Sequence, residues 1–242
     1  MKQPKINDLI MDRKNTKRIR DAAAKVKDIH TYVGDEKIIA LLKKYHPNVT
    51  FAELRAAMAG AIFSVENIMP SAVFEHVFGE EDAPKFKNEK EVKDWYVSMM
   101  SFWNELTKYQ DPDTPFTFMP WPSDLSMDDS KQILFYAEQL EREIQYFLDG
   151  LCEGGVPFKE ALEEESPENI KAWTPALLEV SHDILHEQMK KTKLKTLANR
   201  VTLVSLPAML EEKMKENHAN FVANIRAWRA EAMEESREPP EE

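Results

Sequence analysis

Six glycines in 242 residues leave this chain few places to turn sharply. Strand-rich folds consume glycine at their turns, so the scarcity favours long helices joined by Pro- and Asp-containing loops. A hydrophobic fraction of 43% is ordinary for a globular protein, and the length suffices for a buried core. The longest apolar runs fall far short of the ~20 residues that cross a bilayer, so no membrane partner is expected. The N-terminus lacks the continuous apolar core of a secretory signal. One cysteine, Cys152, excludes a disulfide framework and any multi-cysteine metal knuckle. Together these features suit a protein of a bacterial-type cytoplasm.

Helix starts are written into the sequence. Thr50 and Glu53 form a capping box, Asn88 with Glu91 repeats it, and Ser126 with Asp129 approximates it. Gly34 and Gly79 stop helices, Pro70 opens one, and Thr174-Pro175 reads as an N-cap followed by proline at the first helical position. The segment Phe51–Phe63 is small-residue-rich around Gly60, as expected of a close helix–helix contact. A helix over about Asn88–Tyr109 puts Val92, Trp95, Tyr96, Met99, Trp103 and Leu106 on one stripe. A second, over about Asp128–Leu151, aligns Ile133, Ala137, Leu140, Ile144, Phe147 and Leu151. Beyond Pro175 four helices are expected, over 175–191, 193–205, 207–216 and 217–235. The expected fold is all-α. A basic arm with its short helices covers 1–46, a compact multi-helix domain covers 47–235, and a charged tail covers 236–242.

Charge is distributed unevenly. The total is -11, yet residues 1–45 carry a net +6 and the remainder -17. Lys17, Arg18 and Arg20 in the arm, with Lys190, Lys191, Lys193, Lys195 and Arg200 further on, are candidates for contact with nucleic acid or an acidic partner. Aromatics are not interleaved with these cations, so the stacking component of single-strand binding is missing. Lysines at a helix C-terminus also oppose the dipole, which accounts for Lys190 and Lys191 without any ligand. A four-proline loop from Asp111 to Ser123 carries Phe116, Phe118, Met119 and Trp121. It either plugs the core or presents Phe118 and Trp121 to a protein partner.

The motifs of a reaction are missing. There is no Gly-rich phosphate loop, nucleophile elbow or HExxH. His182 and His186, four apart, have the one metal-like spacing, but no clear third ligand accompanies them, and two boundary histidines is the simpler reading. A metal-dependent enzyme centred on them is the weakest alternative. Acidic neighbours Asp149 and Glu153 make Cys152 a packing residue rather than a reactive thiol. No catalytic residue, cofactor or metal ligand is assigned.

The order Ala59-Gly60-Ala61, Met69-Pro70-Ser71, Val77-Phe78-Gly79, then Trp103-Asn104-Glu105-Leu106, resembles the YecA/YgfB-like family of small all-helical bacterial proteins. Phe147-Leu148-Asp149-Gly150-Leu151 is similar to that family's second signature, and Phe221–Arg229 to its final helix. The resemblance covers about 48–230 and implies an all-helical fold without a shared catalytic set. The sequence departs from the pattern around Gly150, in the arm 1–45, and in lacking the cysteine-rich zinc tail of some members. Zinc is therefore not implied. The expectation for function is a non-enzymatic adaptor or regulator that works through a protein partner, with a nucleic-acid-associated regulator as the alternative.

Overall fold

The computed structural model describes residues 31–65, 68–79, 84–152, 174–192 and 197–235. Its helices are α1 (Asp35–Tyr45), α2 (Phe51–Phe63), α3 (Pro70–Phe78), α4 (Glu89–Leu106), α5 (Ser130–Cys152), α6 (Thr174–Thr192) and α7 (Leu197–Glu235), with a 3₁₀ turn at Thr107–Gln110. Among the described residues there is no strand, and no helix is long and apolar enough to cross a membrane. The fold is all-α.

The core is built on α2. Ten of its 13 residues are buried, as befits a helix apolar on every side. Its N-terminus is closed by the expected capping box: the Glu53 amide donates to Thr50 Oγ1, and the Thr50 amide donates to Glu53 Oε2 at 2.7 Å. Glu53 Oε1 also takes Arg142 of α5. α2 packs most extensively on α5, and the remaining helices gather on this pair: α1, α3 and α4 against α2, α6 and α7 against α5. The crossing is close because each helix has a glycine at it. A Cβ on Gly60 would lie 2.0 Å from the Phe147 carbonyl oxygen, and one on Gly150 would lie 2.2 Å from that of Ala57. Backbone faces backbone here, so no side-chain rotation could make room.

The stripe on α5 is buried throughout, from Ile133 to Leu151. That on α4 is buried at Val92, Trp95, Met99 and Leu106, but Phe102 joins it where Tyr96 and Trp103 were expected. Phe102 is buried, while Trp103 and Tyr96 are half-buried, because Phe102 stacks on Phe51 at 5.2 Å and on Tyr32 at 5.8 Å. The helix start near Ser126 also differs. Asp129 supplies the cap, accepting from the Gln132 amide at 3.0 Å, while Ser126 Oγ accepts from Asp128 in the preceding turn.

Two expectations are corrected. α1 lies within the span read as an arm, yet Ile38, Leu41 and Leu42 join the core, and Lys37–Asp94 and Lys44–Glu91 tie it to α4. The body therefore begins by Asp35, and residues 1–34 keep a net +5 of the +6 excess. The three helices expected over 193–205, 207–216 and 217–235 are, across the described residues, one helix, Leu197–Glu235, with Pro207 inside. Leu203, Leu206, Leu210, Met214, His218, Phe221 and Ile225 are buried at spacings of three and four straight through the proline. Continuous burial outweighs the one amide that Pro207 removes.

Replacing Gly60 with alanine should lower stability by about 2 kcal/mol or more, despite alanine's better helix propensity, because two backbones must separate. Gly34→Ala, where an added Cβ meets nothing but φ is +91°, should cost about 1 kcal/mol. Urea midpoints of the two variants check the contrast; an unchanged Gly60→Ala would show that the crossing is not tight.

Candidate docking site at the proline strap

The loop from Asp111 to Asp129 is a strap laid over the α2–α5 pair. Its backbone is pinned from below at two points. Arg55 of α2 donates to the Thr117 carbonyl at 2.7 Å and to the Tyr109 hydroxyl at 2.9 Å, with its guanidinium 4.5 Å over the Phe116 ring. Glu143 of α5 accepts the Met119 amide at 3.0 Å. The strap's beginning is moored to α7, where Arg226 donates to the Gln110 carbonyl at 2.8 Å and the His218 ring bonds the Asp111 carbonyl at 2.9 Å.

Side chains alternate in role along the strap. Phe116 is fully buried, edge-on to Tyr109 and tilted on Phe147 at 5.2 Å. Phe118 is half-buried and edge-on to both Phe116 and Phe147. Trp121 is half-buried against Tyr136 at 5.9 Å, and Met119 is 42% exposed. The strap thus plugs the core with Phe116 and one side of Phe118 while leaving Met119 and part of Trp121 at the surface. The buried plug and the exposed side chains are two faces of the same segment.

Two cavities flank it, and Phe118, Met119 and Pro120 wall both. The larger, about 320 Å³, lies between the strap and α7, where Trp121 and Leu125 face Val204, Pro207 and Ala208, with Glu211 at the rim. The smaller, about 240 Å³, is polar and lies toward α1 and α4. Its charged groups are already engaged: Arg55 with the strap, Lys108 with Glu105 at 2.5 Å, and Asp35 with the Tyr32 hydroxyl. Burial and the bond to Asp35 hold that hydroxyl well above the usual tyrosine range.

Glu143 is 3% exposed. Burial pushes its carboxyl up to about 7, against the opposing pull of the Met119 amide and of Arg55, while Glu53 adds to the rise. The position was legible in part. Glu143 stands three residues after Leu140 and four before Phe147, on the buried stripe, so its spacing marked a carboxylate in the core. Arg55 carried no such signal, since its partners lie 54 and 62 residues away. The groove wall on α7 was obscured by reading Pro207 as a helix start.

The other candidates are placed unevenly. Lys17, Arg18, Arg20, Lys193 and Lys195 lie outside the described residues; Lys190 and Lys191 are in the last turn of α6. Arg200 is half-buried in the first turn of α7. His182 and His186 share one carboxylate from α5. Glu141 Oε1 is 2.7 Å from His186 Nδ1 and 3.9 Å from His182 Nε2, and the two rings stack at 6.1 Å. This joins α6 to α5. Among the described residues, no group of three or more His, Cys, Asp or Glu is arranged to hold a metal ion. No family model matches the chain, and no curated protein or solved structure matches it significantly.

Folding makes Glu143 harder to ionise, so its contribution to stability is fully present below its ordinary value of 4.5 and is lost as pH rises through about 7. The loss amounts to something on the order of 3 kcal/mol. Glu143→Gln keeps a carbonyl acceptor for Met119 without the titration. It should match the native protein in urea at about pH 4.5 and exceed it at about pH 8. Equal pH profiles would show that Glu143 does not titrate in the core.

Proposed function

We propose that this protein is a non-enzymatic helical adaptor or regulator that binds a protein partner at the groove between the proline strap and α7. One observation carries the reading. The groove of about 320 Å³ is walled by large apolar side chains, and exposed apolar residues continue outward from it. Met119 on the strap is 42% exposed, and Val201 on α7 is 49% exposed. Val201, Val204 and Ala208 follow one another at helical spacing, so the groove opens onto a stripe rather than closing over a small ligand. Isolated apolar residues at a surface are ordinary, but a concave apolar patch with a rigid aromatic wall is the anatomy of a docking surface.

The scaffold suits this role. The strap is pinned by Arg55 and Glu143 and plugged by Phe116, so Trp121 is presented on a fixed backbone and little ordering is needed on binding. A cytoplasmic setting accords with the single cysteine. Membership of the YecA/YgfB-like family belongs to the same proposal. Gly60 and Gly150, from two of the segments that carry the resemblance, meet at the α2–α5 crossing, which supports reading those segments as determinants of fold rather than of chemistry.

Met119→Asp combined with Val201→Asp places charge on the exposed patch without touching the core. Affinity purification from the native host should recover a protein with the native chain and lose it with this variant, while thermal melting stays unchanged. Retention of the same partner by the variant would overturn the groove as the site. Recovery that disappears with nuclease would favour the nucleic-acid-associated alternative.

A further inference from the structure

Arginines in this fold are spent on the chain itself. Arg55 holds the strap, Arg142 pairs with Glu53, Arg226 donates to Gln110, and Arg229 donates to Ile62 and Ser64. Among the described residues Arg200 is the exception. It is half-buried, its Nε is shut off from water without a hydrogen-bond partner, and its guanidinium makes no ion pair. A chain of net charge -11 offers acids in plenty, so an arginine left without one needs a reason. Helix stability does not supply it, because Arg200 stands in the first turn of α7, where a cation opposes the helix dipole.

Its place beside the groove does supply one. Arg200 precedes Val204 by four residues, Pro207 and Ala208 by seven and eight, and Glu211 by eleven, so it shares the face of α7 that walls the groove. Eleven residues of helix rise about 16 Å, which sets the base at one end of that face and the acid at the other. Glu211 is already engaged by Lys215 at 2.5 Å. No second base joins Arg200 there. Val201 to Glu212 contains none, and the strap from Asp111 to Asp129 has five aspartates and neither lysine nor arginine. The groove thus combines an apolar floor with a carboxylate already paired at one end and an unanswered guanidinium at the other.

We infer that the partner at this groove is an amphipathic helix that seats an apolar side chain between Trp121 and Val204 and sets a carboxylate, one turn away, against Arg200. The inference rests on the groove being the docking site and adds the chemistry of the occupant. Residues one turn apart on the occupant match residues one turn apart on α7, so anchor and carboxylate engage together. No bond within the chain holds the Arg200 side chain, so its edge can turn outward, where Nε and an adjacent Nη match the two oxygens of a carboxylate. An apolar side chain at that place would leave Nε without an acceptor, and a lysine would meet a like charge.

Fluorescence anisotropy of the full chain with three labelled model peptides of about 18 residues tests this. The first is a leucine–glutamine amphipathic helix with two glutamates, one turn before and one turn after its central leucine, so that either direction of docking brings one to Arg200. The second has glutamine at both places, and the third scrambles the first to lose its apolar face. The glutamate peptide should bind at least about tenfold more tightly than either of the others. Arg200→Gln should erase that preference while leaving the glutamine peptide unchanged. Arg200→Lys, which keeps the charge but not the planar fork, should preserve it only in part. Ala208→Gln, at an exposed position in the groove wall, should weaken both amphipathic peptides alike. If these two bind equally and Ala208→Gln weakens both, the groove stands and the carboxylate is refuted. A preference that survives Arg200→Gln places the carboxylate elsewhere and overturns the inference, as does equal binding of the scrambled peptide. So does binding of none, and the host purification then decides separately whether the groove docks a partner of another kind.

Discussion

The rest of the structure depends on two helices meeting without side chains between them. At the α2–α5 crossing, Gly60 and Gly150 bring each backbone against a carbonyl of the other, closer than any Cβ would allow. Such proximity aligns the apolar faces of both helices over their length, so Phe63 and Phe147 reach across the contact at 6.0 Å. It also fixes the separation of Arg55, on α2, from Glu143, on α5. Those two side chains pin the strap, and the strap forms one wall of the groove. A wider crossing would move Arg55 and Glu143 apart and unseat the segment between them.

The polar groups in this core are positional devices. Arg55 gives its hydrogen bonds to a carbonyl and a hydroxyl, Glu143 takes one amide, and Glu53 closes a helix terminus while holding Arg142. Near the far end of α7, Arg229 donates to the Ile62 and Ser64 carbonyls at 2.6–3.0 Å, satisfying acceptors where α2 ends. Each bond fixes a loop or a terminus that apolar packing alone would leave free to slide. Among the described residues, the carboxyl of Glu143 takes an amide and no cation bonds it directly. Its hold on the strap is coupled to proton concentration near neutrality through burial itself.

Much of the fold was legible because local chemistry and helical spacing agree. The α5 stripe, the Thr50–Glu53 box, Pro70 at a helix start and the close contact at Gly60 each follow from a few neighbouring residues. Errors arose where a local signal and a distant one conflict. Pro207 looks like a beginning until the burial of Leu203 and Leu210 on either side shows one continuous face. Trp103 looks more like core than Phe102 until Phe51 and Tyr32 are in place to receive the smaller ring. The strap's aromatics stand out in the sequence, but which of them plug the core and which face outward depends on where Phe147 and Tyr136 stand.

By itself the sequence determined the helical class, most helix starts, the two interior glycines and the acid-only composition of the strap, since these are properties of neighbouring residues and of period. The tertiary structure decided which surfaces meet. It paired Gly60 with Gly150 across 90 residues, drew α1 into the body, and set the strap opposite α7 to make a groove. The reason is physical: spacing along one helix says which face is apolar, but only the packing of backbones against one another says what that face will touch.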